Sequence, residues 1–281
     1  MKEKTIWGII FALALASFPA CGEEETEFFE EINYDDLSRL IVDGKTPKGG
    51  PVVIIDVRPE VDFNGVKGHI QDAINIPLEK FQADNTLLTS KISKSKTIVT
   101  YCFGYGNDKI FADTAKNLGY KKIYYYLAGT DDWQTKSDYF VLEYAGFKKW
   151  HEAQMATGSA FADDENYLVD DLPTPWYEGT DPDHPGGHIP CAVSIPLSAW
   201  YDSGSKEKID NAASFTNVVT NKNAKVVIYC GNWACGLSLW GARVAAEMGY
   251  SDVYRYQGGQ KDWFEQSNPG VEGTDPCDAT N

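Results

Sequence analysis

The stretch that decides the fold is Lys225–Trp263, KVVIYCGNWACGLSLWGARVAAEMGYSDVYRYQGGQKDW. It opens with a short apolar run, Val226–Tyr229, which leads into Cys230 and a tight loop. A helical pattern over Leu237–Met248 and a second apolar run, Val253–Tyr256, follow, and a Gly-Gly turn and a short aromatic helix close the unit. Strand, loop, helix and strand in this order indicate a parallel α/β sheet.

The cysteine of this unit lies where a strand ends and a helix begins. Unpaired backbone N–H groups and the helix dipole favour a negative charge at that point. Because the thiolate is the reactive form of cysteine, the position of Cys230 predicts a reactive-thiol site.

The same unit occurs earlier in the chain, at Lys96–Trp133, with Cys102 in the place of Cys230. The Gly-Tyr pair after the helix begins 17 positions after the cysteine in the first copy and 19 positions after it in the second, so the second copy is longer by two residues. An internal repeat of this length predicts two similar domains.

Bulk composition narrows the class of protein. A chain of 281 residues with 43% hydrophobic residues is long and apolar enough for two packed cores. The net charge of −16 argues against a nucleic-acid partner, because phosphate binding needs a basic face. It also argues against electrostatic attraction to anionic lipid.

The N-terminus predicts export. A charged start and the apolar run Ile6–Phe18 are typical of a signal peptide over residues 1–21, and Phe18–Gly22 resembles a bacterial lipobox that would leave Cys21 as the lipidated first residue. The alternative is a plain secretory signal with a chance cysteine. With residues 22–30 as an acidic tether, we expect a protein held at the periplasmic side of the bacterial cell envelope by its lipid anchor only.

Export changes how the cysteines are interpreted, because disulfides persist outside the cytoplasm. Apart from Cys21 the chain has five, so at least one is expected to stay free or to pair between molecules. One economical scheme pairs Cys230 with Cys235 and Cys191 with Cys277 and leaves Cys102 free. The first of these pairs is either a permanent structural disulfide or a redox pair in which Cys235 resolves a persulfide or disulfide on Cys230.

Three further motifs precede each cysteine unit. In the first copy they are IIDVR (54–58), GHI (68–70) and AINIP (73–77), and in the second they are LVDD (168–171), GHI (187–189) and AVSIP (192–196). Together with the cysteine loops they resemble the rhodanese (thiosulfate sulfurtransferase) domain in tandem. The resemblance implies an α/β fold of two rhodanese-like domains, each a small parallel sheet flanked by helices. We place them at 31–155 and 163–270, followed by a polar tail at 271–281.

The family resemblance implies that a loop cysteine takes sulfane sulfur from a donor, forms a persulfide and passes the sulfur to a nucleophile. Cys102 and Cys230 match the family nucleophile, and Asp56 and Arg58 are expected to support the first loop. The residues predicted to line the two loops are Phe103, Gly104, Tyr105, Gly106 and Asn107 in the first and Gly231, Asn232, Trp233, Ala234 and Gly236 in the second. No cofactor and no metal is predicted.

The two loops depart from the family pattern. The position five residues after the cysteine, commonly basic in active loops, holds Asn107 in the first copy and Cys235 in the second. Asp108 adds a negative charge that would repel thiosulfate, and the second domain has no counterpart of Arg58. A brace between Arg58 and Glu60 is also expected.

The sequence therefore leaves two classes of function open. One is a sulfurtransferase or thiol-redox enzyme, with Cys230 preferred as nucleophile over Cys102, which uses a small sulfur donor and a thiol acceptor or a protein thiol partner. The other is a non-catalytic binding or scaffolding lipoprotein.

Overall fold

The computed structural model describes residues 27–43, 52–136, 138–157, 161, 164–184, 186–202, 207–208, 212–274 and 277. In the first half the elements are β1 (Phe28–Glu31), α1 (Tyr34–Asp43), β2 (Val52–Asp56), α2 (Glu60–Phe63), β3 (Ala73–Asn75), α3 (Leu78–Ala83), α4 (Thr86–Thr89), β4 (Thr97–Tyr101), α5 (Asn107–Asn117), β5 (Lys122–Tyr126) and α6 (Gly129–Thr135). In the second half they are β6 (Phe140–Leu142), α7 (Tyr144–Thr157), β7 (Asn166–Asp170), α8 (Thr174–Tyr177), β8 (Val193–Ser194), a 3₁₀ turn (Leu197–Ala199), β9 (Tyr201–Asp202), β10 (Glu207–Lys208), α9 (Ala213–Thr216), β11 (Lys225–Tyr229), α10 (Leu237–Glu247), β12 (Asp252–Tyr256) and α11 (Gly259–Glu265).

The two halves form two parallel sheets of the same topology. The first has the strand order β1-β5-β4-β2-β3 and the second the order β6-β12-β11-β7-β8. The central strands β4 and β11 are apolar and almost wholly buried, as expected of parallel strands covered on both faces. This confirms the predicted fold of two small parallel sheets flanked by helices.

An aspartate at the end of β2 and of β7 ties each sheet to the chain that follows. Asp56 accepts a hydrogen bond from the backbone N–H of Arg58, and Asp170 accepts one from that of Leu172, both at 2.9 Å. The Tyr101 hydroxyl donates to Asp56 at 2.7 Å, and Tyr229 lies against Asp170 in the same way. The equivalence identifies Arg58 with Leu172 as matching positions of the repeat.

The boundary between the residues of the first sheet and those of the second falls before β6. It lies inside the range 31–155 that was predicted for the first domain. β6 pairs with β12 of the second sheet, although Val141 also forms an isolated bridge with His69 of the first domain. The domains meet again where the Lys225 ammonium donates to the Val66 carbonyl at 2.7 Å, and burial lowers the pKa of Lys225 to about 8. The second repeat therefore begins with β6 and α7.

The predicted tether and tail also differ from the structure at their ends. The range 22–30 includes Phe28, which is buried and pairs with Lys122 in the first sheet, so the strand begins inside the predicted tether. Val271, the first residue of the predicted tail, is buried and bridges His188. The predicted signal segment and Cys21 lie outside the described residues. Within those residues, every helix is too short or too polar to cross a bilayer.

Candidate active site

A turn that contains glycine packs against the backbone of each cysteine loop. The amide of Thr130 donates to the Cys102 carbonyl at 2.9 Å, and that of Gln260 donates to the Cys230 carbonyl at 3.0 Å. Gly129 and Gly259 precede these amides with φ of +65° and +63°, and a Cβ at either would collide with the cysteine carbonyl oxygen. Glycine is therefore required for both the backbone conformation and the close approach.

The Cys102 thiol is free and buried. It donates to Oδ1 of Asp108, with 3.2 Å between sulfur and oxygen, and accepts a hydrogen bond from the Gly104 amide at 3.4 Å. Asp108 is itself fully buried in the first turn of α5, and burial raises the pKa of its carboxyl. The first loop thus places an acidic group directly against its sulfur.

Arg58 supports the first loop from inside the domain. Its guanidinium donates to both carboxylate oxygens of Asp56 and to the Gly68 carbonyl at 2.8 Å, and it lies against the Phe103 ring. Because these partners hold it and it is only 2% exposed, it anchors the loop and does not present a charge to solvent. The expected pair with Glu60 is wrong: Glu60 binds Lys80 instead, at 2.7 Å.

The second loop carries a disulfide between Cys230 and Cys235, and a second disulfide joins Cys191 to Cys277. With Cys102 free, this confirms the predicted pairing for the five cysteines that the structure describes. Cys230 is buried and Cys235 is partly exposed, so the bridge reaches from the base of the loop toward its surface.

A chain of donors leads to the Cys230 sulfur. Ser238 Oγ lies 3.2 Å from Cys230 Sγ, and since a disulfide sulfur has no hydrogen, the hydroxyl is the donor. Ser238 Oγ in turn accepts from Arg255 Nε at 3.1 Å, and Arg255 Nη2 donates to the Cys235 carbonyl at 3.2 Å. Because linked hydrogen bonds polarise one another, this arrangement would stabilise a negative charge on the Cys230 sulfur once the disulfide is open.

Arg255 was not among the residues predicted for the second site, and the second loop itself, residues 231–236, carries no charged side chain. Register identifies Arg255 with Tyr125 of the first domain, because Arg255 pairs with Ile228 as Tyr125 pairs with Thr100. An alignment of the two repeats would have shown that Arg255 stands where the first domain has Tyr125.

The missing Arg58 is replaced in the second domain by a neutral side chain from another element. Gln260 Nε2 donates to Asp170 at 3.2 Å and to the Gly187 carbonyl at 2.8 Å, the same two kinds of acceptor that Arg58 binds. A neutral amide does not balance the carboxylate charge, and burial raises the pKa of Asp170 to about 7. The neighbouring Asp171 is also buried, and burial and the charge of Asp170 raise its pKa well above the ordinary value.

The remaining predicted loop residues form the surface of the two sites. Tyr105 is 79% exposed at the tip of the first loop and Trp233 is 52% exposed at the tip of the second. Asn232 shapes the second turn by accepting from the Ala234 amide at 2.9 Å. The other predicted members of the loops are partly or fully exposed: Gly106, Asn107, Gly231 and Gly236. An open pocket of about 320 Å³ lies beside the first loop, between Asn107, Lys80 and Leu78.

Comparison with known proteins identifies the repeat. The family model described as "Rhodanese-like domain" matches residues 35–136 and 159–266. No curated protein matches the chain.

Solved structures resemble the chain at low identity. A variant of EanB in complex with ergothioneine covalently linked with a persulfide is 18% identical with a TM-score of 0.36, and the match covers 88% of this chain and 63% of that one. A rhodanese-like domain protein from Staphylococcus aureus is 21% identical (TM-score 0.31; 37% and 91% covered), and a thiosulfate sulfurtransferase from Pseudomonas aeruginosa is 13% identical (TM-score 0.31; 87% and 44% covered). The chain thus spans less than two thirds of the EanB structure, and similarities this distant do not bear on its activity.

Proposed function

The chain belongs to the rhodanese-like domain family, with one copy in each half, and on that premise we propose that it is a sulfurtransferase that carries sulfane sulfur as a persulfide on Cys230. Cys235 is the residue that releases the sulfur from Cys230. The first-domain Cys102 has a separate role.

The observation that carries this proposal is the donor chain from Arg255 through Ser238 to the Cys230 sulfur. A persulfide and a thiolate are both anions, and donors already aligned on the sulfur stabilise them without reorganisation. Cys102 has the opposite surroundings, because its sulfur faces the Asp108 carboxyl. The second loop is the better site for anionic sulfur.

The reaction starts when a dithiol reduces the Cys230–Cys235 disulfide. The Cys230 thiolate attacks the outer sulfur of a sulfane donor, the donor's S–S bond breaks, and the remainder of the donor leaves with the electron pair. A nucleophilic acceptor then takes the outer sulfur from the Cys230 persulfide. Alternatively the Cys235 thiol attacks the inner sulfur, re-forms the disulfide and expels hydrogen sulfide, so the oxidised loop is also the end of a thiol-redox cycle.

The proposed partners are a small sulfur donor and a thiol acceptor, or a protein thiol. We further propose that the protein is exported and held at the cell envelope through a lipid on Cys21. The signal-like N-terminus supports this location, and so do the two disulfides, which persist in oxidising compartments.

The test compares Cys230→Ser and Cys102→Ser with the wild type, using thiosulfate and a polysulfide as donors and a dithiol as acceptor. We expect Cys230→Ser to abolish turnover and Cys102→Ser to keep most of it. A dead Cys102→Ser with an active Cys230→Ser would reverse the assignment. If the wild type itself shows no turnover and forms no persulfide, the protein is a binding or scaffolding module instead.

A further inference from the structure

The thiol and carboxyl of the first loop form an isolated pair. Cys102 is 1% exposed and Asp108 is 0% exposed, and the sulfur lies 3.2 Å from Asp108 Oδ1. The other oxygen, Oδ2, is buried and has no hydrogen-bond partner among the described residues. A buried acidic oxygen without a hydrogen-bond partner is costly, and the amides at the start of α5 offset the burial of this carboxyl only in part.

The surrounding cations do not offset the acidic group. Arg58 is bound to Asp56, and Lys109 pairs with Asp113 at 3.0 Å on the exposed side of α5. When the thiol and the carboxylate hold one proton between them, the pair carries one negative charge, whether the proton is on the sulfur or on the oxygen. The second loop differs because Ser238 stands where Asp108 does and Arg255 lies behind it.

We propose that the first domain is a second thiol site, one that reacts with neutral sulfur electrophiles such as organic disulfides and polysulfides, and that Asp108 excludes anionic ones. Cys102 passes its proton to Asp108 and its sulfur attacks one sulfur of the neutral donor. The donor's S–S bond breaks, a mixed disulfide forms on Cys102, and the leaving thiolate takes the proton back from Asp108. The donor is the oxidant, so the step needs no other reagent.

Burial supports the proton-accepting role. Desolvation raises the pKa of the Asp108 carboxyl, an effect that the Cys102 thiol and the amides of Asp108 and Lys109 only partly oppose. A carboxyl that is easier to protonate is a better acceptor for a thiol proton. The Thr100 hydroxyl donates to the Asp108 carbonyl at 3.0 Å and holds the start of α5 in place.

Charge selectivity tests the proposal directly. Iodoacetamide and iodoacetate have nearly the same size but differ by one negative charge, and in the oxidised protein Cys102 is the only free thiol among the described residues. We expect Cys102 in the wild type to prefer iodoacetamide over iodoacetate by about tenfold more than a free thiol does, because the carboxylate repels the anion at close range. Peptide mapping assigns the alkylation to Cys102.

The matched variants are Asp108→Asn, which removes the charge at the site, and Asp113→Asn, which removes an exposed charge from the same helix. Asp108→Asn should bring the preference down to that of the free thiol and change the pH profile of alkylation, while Asp113→Asn should change neither. If Asp108→Asn does not fold, Asp108→Ser serves, since serine is the residue of the second domain.

Three results would overturn the proposal: a wild-type preference equal to that of the free thiol, a preference unchanged in the Asp108 variants, or a folded protein in which Cys102 reacts with neither reagent. The outcome is independent of the function proposed for Cys230, because the measurement keeps the Cys230–Cys235 disulfide closed.

Discussion

The two matching aspartates should differ in how pH changes the effect of the same substitution. Burial raises the pKa of Asp170 to about 7, while Asp56 is balanced by the Arg58 guanidinium. A carboxyl whose pKa is higher in the folded than in the unfolded state adds stability below its ordinary pKa, and this stability is lost as the pH rises through the folded value. The relevant window therefore runs from the ordinary value of 3.8 to about 7.

The shift fixes the size of the effect. Across the whole window Asp170 changes the free energy of unfolding by about 4 kcal/mol, of which roughly half or more is lost between pH 5 and pH 8. In Asp170→Asn this loss should vanish. The amide forfeits hydrogen bonds to Gln260 or Tyr229 at a cost of about 1–3 kcal/mol, but that cost does not depend on pH. The free energy of unfolding of Asp170→Asn, relative to that of the wild type, should therefore be most favourable at high pH.

Urea unfolding at a series of pH values measures this difference. The matched control, Asp56→Asn, leaves the buried Arg58 without its partner and should lower the free energy of unfolding by about 3–5 kcal/mol, because an unpaired buried charge is strongly destabilising. The Arg58 guanidinium stays charged at all these pH values, so this control measures the cost of an unpaired buried cation. A difference between wild type and Asp170→Asn that stays constant from pH 5 to pH 8 would refute the reasoning.

Three other predictions concern the thiols and the anchor. Ser238→Ala removes the last donor to the Cys230 sulfur and should slow sulfur transfer about ten- to a hundredfold in donor-turnover assays, whereas Ser251→Ala should have no effect; equal rates would exclude the donor chain. Replacing Cys191 and Cys277 by serine should lower the free energy of unfolding in urea by about 4.5 kcal/mol, and replacing Cys230 and Cys235 should lower it by about 2 kcal/mol, because the two pairs are 86 and 5 residues apart. The reverse ranking would contradict the loop-closure argument. Cys21→Ser should release the protein from the membrane fraction or leave it unprocessed, and a wild type found wholly soluble would end the lipoprotein hypothesis.

The features that could be predicted from the sequence depend on short local patterns that occur in both repeats. The two cysteine units, the aspartates that end β2 and β7, and the start of α10 at Leu237 all follow from strand and helix patterns found twice. Arg58 was expected to support the first loop, and the structure places its guanidinium on Asp56 and the Gly68 carbonyl and against the Phe103 ring.

The features that the sequence did not predict depend on tertiary partners. β6 is a short apolar run that suits the edge of either sheet, and only its packing selects β12. Gln260 replaces Arg58 from a helix instead of from the same loop, and Arg255 reaches the second loop from a strand that otherwise reads as core. Such exchanges keep the geometry of a site while moving its residues along the chain, so a motif search within one loop does not detect them.

Peptide-resolved mass spectrometry of the fully reduced protein after exposure to a polysulfide tests the central claim most directly. The proposed mechanism predicts that the peptide containing Cys230 gains the mass of one sulfur atom, that a dithiol removes it, and that Ser238→Ala accumulates less of it. Sulfur found on Cys102 alone, or on neither cysteine, would contradict the assignment of sulfur transfer to Cys230.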